Sequence, residues 1–300
     1  MKKKTYLFAL MAMALTLGSC SDNENGIGGE TSKYITVSTS IGNMTRVATD
    51  AKGGQTFEEG DEISVYAWTG DATVAPETRE RVVNNAINKL TNGSWISNPQ
   101  MLWKNNRDKH YFIGVYPTAA ISDLSAGEYT FDVNKQTESD LLVAVNKDGL
   151  SYNVDEQQTV PLTFTHVMAK LVVNLTYKNQ WGGIPTVEKV VVGNAAKEAT
   201  INYLTKVVTP STTAKEDFSL PEITENTKYV SVIIPQEDVK QLTIVIGGKN
   251  FVYDNGTPFK LESGKITTVN LEVGRDEIKL GDVKITNWED GSTFSGVALN

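Results

Sequence analysis

The chain of 300 residues is poor in the side chains that build disulfides and metal sites, since it has one cysteine and two histidines. A single cysteine excludes a disulfide within the chain, so stability must come from burial of apolar side chains. His110 and His166 are far apart in the sequence, and neither belongs to an HExxH motif or a cysteine–histidine cluster. We therefore expect no metal, no cofactor and no catalytic histidine.

Motifs for phosphate binding and nucleophilic catalysis are also missing. No glycine pair lies in a GxxxxGKS or GxGxxG pattern, and the stretch 42–60 lacks a GxSxG motif. Neighbouring carboxylates such as Glu58-Glu59 leave a glycosidase pair open. Asp61-Glu62 and Asp254-Asn255-Gly256 could supply oxygen ligands to calcium, but the spacing of an EF-hand loop is absent. A solvated acidic surface is the simpler interpretation, and we expect no enzyme activity.

Basic residues are outnumbered, with 28 lysines and arginines against 36 aspartates and glutamates and a formal charge of −8. Removal of residues 1–19 takes three lysines and no acid, which leaves 25 basic against 36 acidic residues, a charge of −11. Nucleic-acid binding requires a basic surface that neutralises phosphates. We therefore expect no nucleic-acid partner.

Long apolar runs are scarce, and residues 6–17 form the one candidate. This run is shorter than the roughly 20 residues of a spanning helix, and it follows three lysines. A basic start, a short apolar stretch and small residues before Cys20 are typical of a bacterial lipoprotein signal. We predict that residues 1–19 are a signal peptide and that Cys20 becomes the acylated, membrane-anchoring first residue. An ordinary secretory signal with an incidental cysteine is the alternative.

Alternation of apolar and polar residues covers most of the chain after a polar, glycine-rich tether at 20–33. Ile35, Val37 and Ile41 share one parity, which is typical of a half-buried strand. About seven such strands precede residue 165 and about seven follow it, so we predict an all-β fold of two sandwich domains, 34–165 and 166–275. Residues 82–90 fit helical spacing nearly as well, but we predict a strand that enters a hairpin at Asn92-Gly93.

A further apolar alternation follows the second region. Ile278, Leu280, Val283 and Ile285 continue a strand-like pattern whose phase shifts at Gly281. A small sandwich closes with its last strand, so the extension 276–300 needs another place to pair. We expect that place to be in another molecule.

The five tryptophans raise an alternative class of function, a sugar-binding surface. They lie at positions 68, 95, 103, 181 and 288. Because they are scattered, and because tryptophan in a sandwich usually packs in the core, a platform of exposed indoles is the weaker interpretation.

Several strings in their order resemble the fimbrillin-like proteins of Bacteroidales. They are Cys20 after small residues, Thr45-Arg46, FEEGDEISVYA at 57–67, DLLVA at 140–144, PLTFTHVMAKL at 161–171 and ITNWEDG at 285–291. The resemblance spans nearly the whole chain. It implies two transthyretin-like, Greek-key β-sandwich domains in a lipoprotein precursor of type V pili, located at the outer membrane and in the fimbrium.

The resemblance also implies a maturation step and a set of partners. An arginine-specific protease cuts between Arg46 and Val47, which releases the first strand with the segment 34–46. A donor strand from the C-terminal end of another subunit then fills the groove, and here its side chains are Ile278, Leu280, Val283 and Ile285. Other fimbrial subunits are thus the partners, in a homo- or hetero-polymer that supports adhesion. A non-polymerising surface lipoprotein that binds glycans or host proteins is the alternative, and the family also contains accessory subunits.

Overall fold

The computed structural model describes residues 33–42, 57–156 and 158–288, and nearly all regular structure in them is β-strand. The predicted all-β fold class is confirmed. The first eight strands span Thr36–Ile41 (β1), Glu62–Thr69 (β2), Arg81–Thr91 (β3), Ser94–Asn98 (β4), His110–Tyr116 (β5), Gly127–Thr130 (β6), Leu142–Leu150 (β7) and Thr159–His166 (β8).

Eleven further strands follow in the described residues. They span Ala169–Tyr177 (β9), Val187–Ala196 (β10), Glu198–Asn202 (β11), Val207–Pro210 (β12), Lys215–Ser219 (β13), Glu222–Thr224 (β14), Lys228–Ile233 (β15), Gln236–Ile246 (β16), Lys249–Leu261 (β17), Lys265–Val273 (β18) and Ile278–Asn287 (β19). Helical structure in the described ranges is limited to the 3-10 turns Thr78–Glu80 and Asn179–Trp181 and one α-helical turn, Gln136–Ser139 (α1).

The seven-stranded sheet has the order β1-β8-β7-β5-β2-β3-β4 and is buried on both faces at its centre. Along β2, Ile63 and Val65 point into one apolar cluster, whereas Tyr66 and Trp68 point into a second. This opposition follows from the two-residue period of a strand. The first cluster, which also holds Ile35 of the segment before β1, is enclosed by this sheet, and we call it the enclosed core.

The later strands form two more sheets that share the second cluster. Their orders are β14-β15-β9-β18-β19 and β13-β10-β16-β17. Valine and isoleucine side chains of β9, β10, β16 and β18 fill the space between them and are almost fully buried. Side chains from β2 and β5 belong to the same cluster, so the apolar interior continues across residue 165.

A small fourth sheet, β12-β11-β6, joins the two parts of the chain. In it, β6 pairs with β11 in antiparallel register, from Glu198 opposite Thr130 to Ile201 opposite Gly127. The larger sheets separate between His166 and Ala169, near the expected boundary. The boundary near residue 165 stays a prediction, because this small sheet and the shared cluster cross it.

The ambiguous segment 82–90 is a strand, as expected, and it turns back at Asn92 and Gly93 with φ of 51° and 73°. Such positive φ values suit a two-residue hairpin turn, which asparagine and glycine favour. The Glu59 carboxylate accepts hydrogen bonds from the backbone N–H of Asn92 at 2.9 Å and of Gly93 at 2.7 Å. Sequence analysis did not name the strands between 198 and 224, which are short, and Val207 and Ile223 among them are exposed.

Candidate functional site

The first strand lies at one edge of the seven-stranded sheet. β1 pairs in parallel with β8, from Thr36 opposite Thr159 to Ile41 opposite Phe164, and among the described residues β8 is its one sheet neighbour. Just before β1, the N–H of Ile35 donates to the carbonyl of Met101 at 3.0 Å, and the N–H of Trp103 donates to the carbonyl of Lys33 at 3.2 Å. Residues 33–35 therefore pair with residues 101–103, and residues 36–41 pair with β8.

The two faces of this strand differ in burial. Ile35 and Val37 are 2% and 7% exposed and lie in the enclosed core, whereas Ser38 and Ser40 face solvent. Burial of an isoleucine or valine side chain contributes roughly 1.5–3 kcal/mol. Ile35 and Val37, which the alternation predicts on one face of the strand, therefore both point into the enclosed core. Ile41 is partly buried and packs against the same core.

The residues that flank the segment 43–56, Gly42 and Phe57, both contact Phe164 of β8. The N–H of Gly42 donates to the carbonyl of Phe164 at 2.8 Å, and the Phe57 ring packs edge-on against the Phe164 ring at 5.1 Å between centroids. Phe57 also packs against Trp95 and Tyr116 at 5.3 Å. A break between 42 and 57 would therefore leave Phe57 anchored and β1 held by its own pairing.

The opposite edge of the sheet faces the same strand. β4 is the last strand of the order, and the Trp95 indole N–H donates to the Thr39 hydroxyl at 3.0 Å. A groove of about 690 Å³ lies between β1 and β4, with Leu90 and Ile96 among its lining residues. The enclosed core is thus closed by side-chain contacts between two strand edges.

The four predicted donor residues all lie on β19. This strand pairs with β18 in antiparallel register along its whole length, at the edge of the five-stranded sheet. Ile278 and Leu280 pack against the second cluster, whereas Val283 and Ile285 are 40% and 39% exposed. The donor residues and the first strand therefore belong to different sheets of this chain.

The phase shift noted in the sequence is a β-bulge. Leu280 lies opposite Leu271 and Asp282 lies opposite Asn270, so Gly281 is the extra residue on β19. Because the bulge adds one residue, Val283 pairs with the inward-facing Val269 and shares the face of Leu280. All four apolar side chains consequently lie on one face of the strand.

Trp288 anchors the end of β19. Its ring is 4% exposed and stacks on the His166 ring, with 4.2 Å between centroids and an angle of 9° between planes. His166 Nδ1 lies 2.8 Å from an Asp140 carboxylate oxygen, and the Lys170 ammonium lies 5.4 Å from the Trp288 ring centroid. Burial lowers the pKa of Lys170 to about 8, and the charge of Asp140 offsets part of that effect. The last strand thus ends in the junction between β8 and β9.

His110 is buried within β5 and has partners on both ring nitrogens. The N–H of Lys104 donates to Nε2 at 3.1 Å, so Nδ1 carries the proton and bonds the Asp108 carbonyl at 3.1 Å. Burial is the main cause that lowers the pKa of His110. The ring is a neutral structural group in this setting.

The remaining predicted residues divide into two sets. Cys20, Arg46 and Val47 lie outside the described residues. Of the tryptophans, those at 68, 103 and 288 are buried and those at 95 and 181 are partly buried, so the described indoles form no exposed platform. Within 33–42, 57–156 and 158–288, no three histidine, cysteine, aspartate or glutamate side chains group as a metal site. In the same ranges no helix is long and apolar enough to span a membrane.

Sequence reasoning missed two parts of this site, the pairing of 33–35 with 101–103 and the stacking of Trp288 on His166. Both join segments distant in the chain. The signal for the second was present, because His166 and Trp288 each lie in a string that carried the resemblance.

Comparisons with known proteins identify a family and a relative for the chain. The family described as "Fimbrillin-like" matches residues 45–288. A protein named "Putative fimbrium subunit Fim1C" from Bacteroides uniformis is 24% identical over 315 residues, which cover 97% of each chain.

Two crystal structures share the fold. One is described as "a putative cell adhesion protein from Bacteroides ovatus", 18% identical with a TM-score of 0.61, for which the match covers 85% of this chain and 98% of that one. The other is a fimbrial protein from Bacteroides vulgatus, 12% identical with a TM-score of 0.52, for which it covers 84% and 99%.

We expect Trp288→Ala to release β19. Loss of a buried tryptophan ring costs about 3 kcal/mol of unfolding free energy, measured by urea denaturation. Amide hydrogen exchange should accelerate across 278–287 and stay unchanged in β2. Val283→Thr, at an exposed position of the same strand, is the control and should cost under about 1 kcal/mol. Equal exchange in Trp288→Ala and the control would contradict the anchoring role.

We expect the folded chain to protonate His110 only below the ordinary histidine pKa of about 6.5. Since the unfolded chain then binds more protons, His110 makes stability fall as pH decreases through 6.5. NMR titration of the ring carbons measures the folded pKa, and urea denaturation at two pH values measures the stability. His110→Asn should lose less stability than the wild type between pH 7 and pH 5. An unshifted midpoint for His110 would refute the assignment.

Proposed function

Because the chain belongs to the fimbrillin-like family, we propose that it is a fimbrial subunit exported as a lipoprotein, cut after Arg46 and assembled by strand exchange. The family assignment supports a structural role in a cell-surface fimbria and association with other fimbrial subunits. The observation that carries the assembly step is the edge position of β1 over the enclosed core.

The first strand is suited to replacement. β1 has one described sheet neighbour, and Phe57 holds the chain in place after the segment that contains Arg46 and Val47. Removal of β1 would uncover the side chains of Val160 and Leu162 on β8 and leave backbone N–H and C=O groups of β8 without hydrogen bonds. Unpaired groups of this kind at a sheet edge favour pairing with another strand. An incoming strand satisfies the backbone bonds and the apolar side-chain positions together.

The last strand is suited to insertion. The four apolar side chains of β19 share one face, and the strand has no proline, so any of its residues can donate to a ladder. Its own pairing with β18 must open first, since the strand is hydrogen-bonded within its subunit. In the exchange, β19 would leave β18 of its own subunit and pair with the edge of β8 in a neighbouring subunit.

Membrane attachment of the precursor is the third part of the proposal. The Cys20 thiol would receive the acyl chains, and 20–33 would separate the lipid from the first strand. A lipid anchor in the outer membrane would keep the precursor at the cell surface until an arginine-specific protease cleaves it.

We expect arginine-specific digestion of the chain 21–300 to cut after Arg46 and to produce multimers, read by light scattering and negative-stain microscopy. Arg46→Ala should stay monomeric, whereas Arg107→Ala, at another exposed arginine, should assemble. The double variant Val283→Asp with Ile285→Asp should fold, because both side chains are partly exposed in the subunit, and should not assemble, because a filled groove would bury the charges. Lys284→Asp, on the same strand, is its control and should assemble. Multimers formed by Arg46→Ala and by the double variant would refute strand exchange.

We expect Cys20→Ser to move the precursor from the membrane fraction to the soluble fraction and to abolish labelling by palmitate. Ser21→Ala should retain both properties, because it leaves the thiol in place. Continued membrane retention of Cys20→Ser after a high-salt wash, with lipid label, would show that another residue carries the anchor.

A further inference from the structure

We propose that a cleft at one end of the seven-stranded sheet binds a carboxylate-bearing sugar. The cleft has a volume of about 780 Å³ and lies where β2 ends and β3 begins, with residues 102–104 as its other wall. This volume is within the range of small-molecule sites, roughly 300–1,000 Å³. We call it the Arg81 cleft, and it goes beyond the assembly function, since it uses neither the inward face of β1 nor β19.

The walls of the Arg81 cleft carry more basic than acidic side chains, in a chain of net charge −8. Arg79, Arg81 and Lys104 line it, opposed by Asp71 and Glu80. Arg79 pairs with Glu77 at 2.9 Å, but neither Arg81 nor Lys104 forms an ion pair with a described carboxylate.

Lys104 is the cation best placed to meet a ligand. Its Nζ donates to the Thr69 hydroxyl at 3.2 Å, so the ammonium keeps further donors for an anion. The backbone N–H of Lys104 is held by His110, which fixes the start of the side chain.

Arg81 places a buried positive charge in the cleft wall. The residue is 8% exposed, and its terminal nitrogens donate to Asn84 Oδ1 at 2.8 Å and to the carbonyls of Ile121 and Ser122 at 2.6 Å. All these acceptors are neutral. Its Nε is buried without a hydrogen-bond partner in the described residues. The nearby charge of Asp123 offsets part of the desolvation of Arg81 but forms no ion pair with it. An anion in the cleft would add a further favourable charge interaction to this buried cation.

The apolar part of the cleft points to an amphipathic ligand. Trp68 and Trp103 line the cleft with mostly buried rings, and Val74 and Leu102 line it with exposed fractions of 58% and 43%. Sugars combine C–H faces with hydroxyl groups, so apolar side chains beside the Thr69 hydroxyl suit both parts. A carboxylate on the sugar ring would bind the basic side chains of the cleft, because charge-assisted hydrogen bonds to Arg and Lys are stronger than neutral ones.

The cleft walls are held in place before any ligand binds. The Trp68 indole N–H donates to the Asp71 carbonyl at 2.9 Å, and the Trp103 ring packs edge-on against Phe112 at 5.7 Å. The backbone of Trp103 is held by Lys33 in the segment that leads into β1. The site is therefore preorganised in the uncut chain, and binding should be measured on that form.

The experiment compares two glycosides that differ in one carboxylate. The ¹⁵N-labelled, uncut chain 21–300 is titrated with methyl β-D-glucuronide and with methyl β-D-glucoside, and the indole signals of its five tryptophans are followed by NMR. We expect the glucuronide to shift the Trp68 and Trp103 signals and to bind about tenfold more tightly than the glucoside, which lacks the charged hydrogen bonds.

Variants test whether the cations of the cleft are responsible. Lys104→Gln should weaken glucuronide binding about tenfold, whereas Lys240→Gln, which removes the same charge from an exposed position outside the cleft, should bind as the wild type does. Equal binding of the two glycosides, or unchanged affinity in Lys104→Gln, would overturn the proposal. Tighter binding of a glutamate-containing peptide than of the glucuronide would also overturn it, in favour of an acidic protein partner. None of these outcomes depends on multimer formation.

Discussion

The pairing of β1 with β8 is the interaction on which the N-terminal sheet depends. It closes the enclosed core by placing Ile35 and Val37 over it, at the edge of an otherwise antiparallel sheet. The backbone hydrogen bonds of a sheet edge can form with any extended segment. Specificity for one segment comes from the alternation of its apolar side chains. Under the proposed assembly, the strand that stabilises the subunit is therefore also the part that a neighbour's strand of the same parity would replace.

A parallel pairing of this kind recurs in the later part of the chain. β9 pairs in parallel with β18, as β1 does with β8. The surroundings differ, because β9 lies inside its sheet between β15 and β18, whereas β1 lies at an edge. Removal of β9 would break two ladders and expose a sheet centre. Under the proposed assembly, this difference makes β1 the strand to be replaced and β19, at the edge of its own sheet, the strand to be inserted.

Residues 101–103 connect the first strand to the Arg81 cleft. They pair with 33–35 on one side, while Leu102 and Trp103 line the cleft on the other. Under the two proposals, exchange of the first strand would remove the support of one cleft wall until the incoming strand restored it. Assembly and ligand binding would then be coupled through a backbone ladder, with no separate regulatory element.

Local patterns in the sequence determined the strand class, the hairpin at Asn92 and Gly93, and the inward parity of Ile35 and Val37, because a strand alternates every two residues whatever its partner. They also showed that the apolar alternation changes phase at Gly281, but not that a β-bulge causes the change. Tertiary structure alone decided which strand pairs with which, that the bulge keeps Leu280 and Val283 on one face, and that Trp288 packs on His166. It also decided that three cations and two indoles share one cleft. These features join residues far apart in the chain, and no local period encodes such a distance.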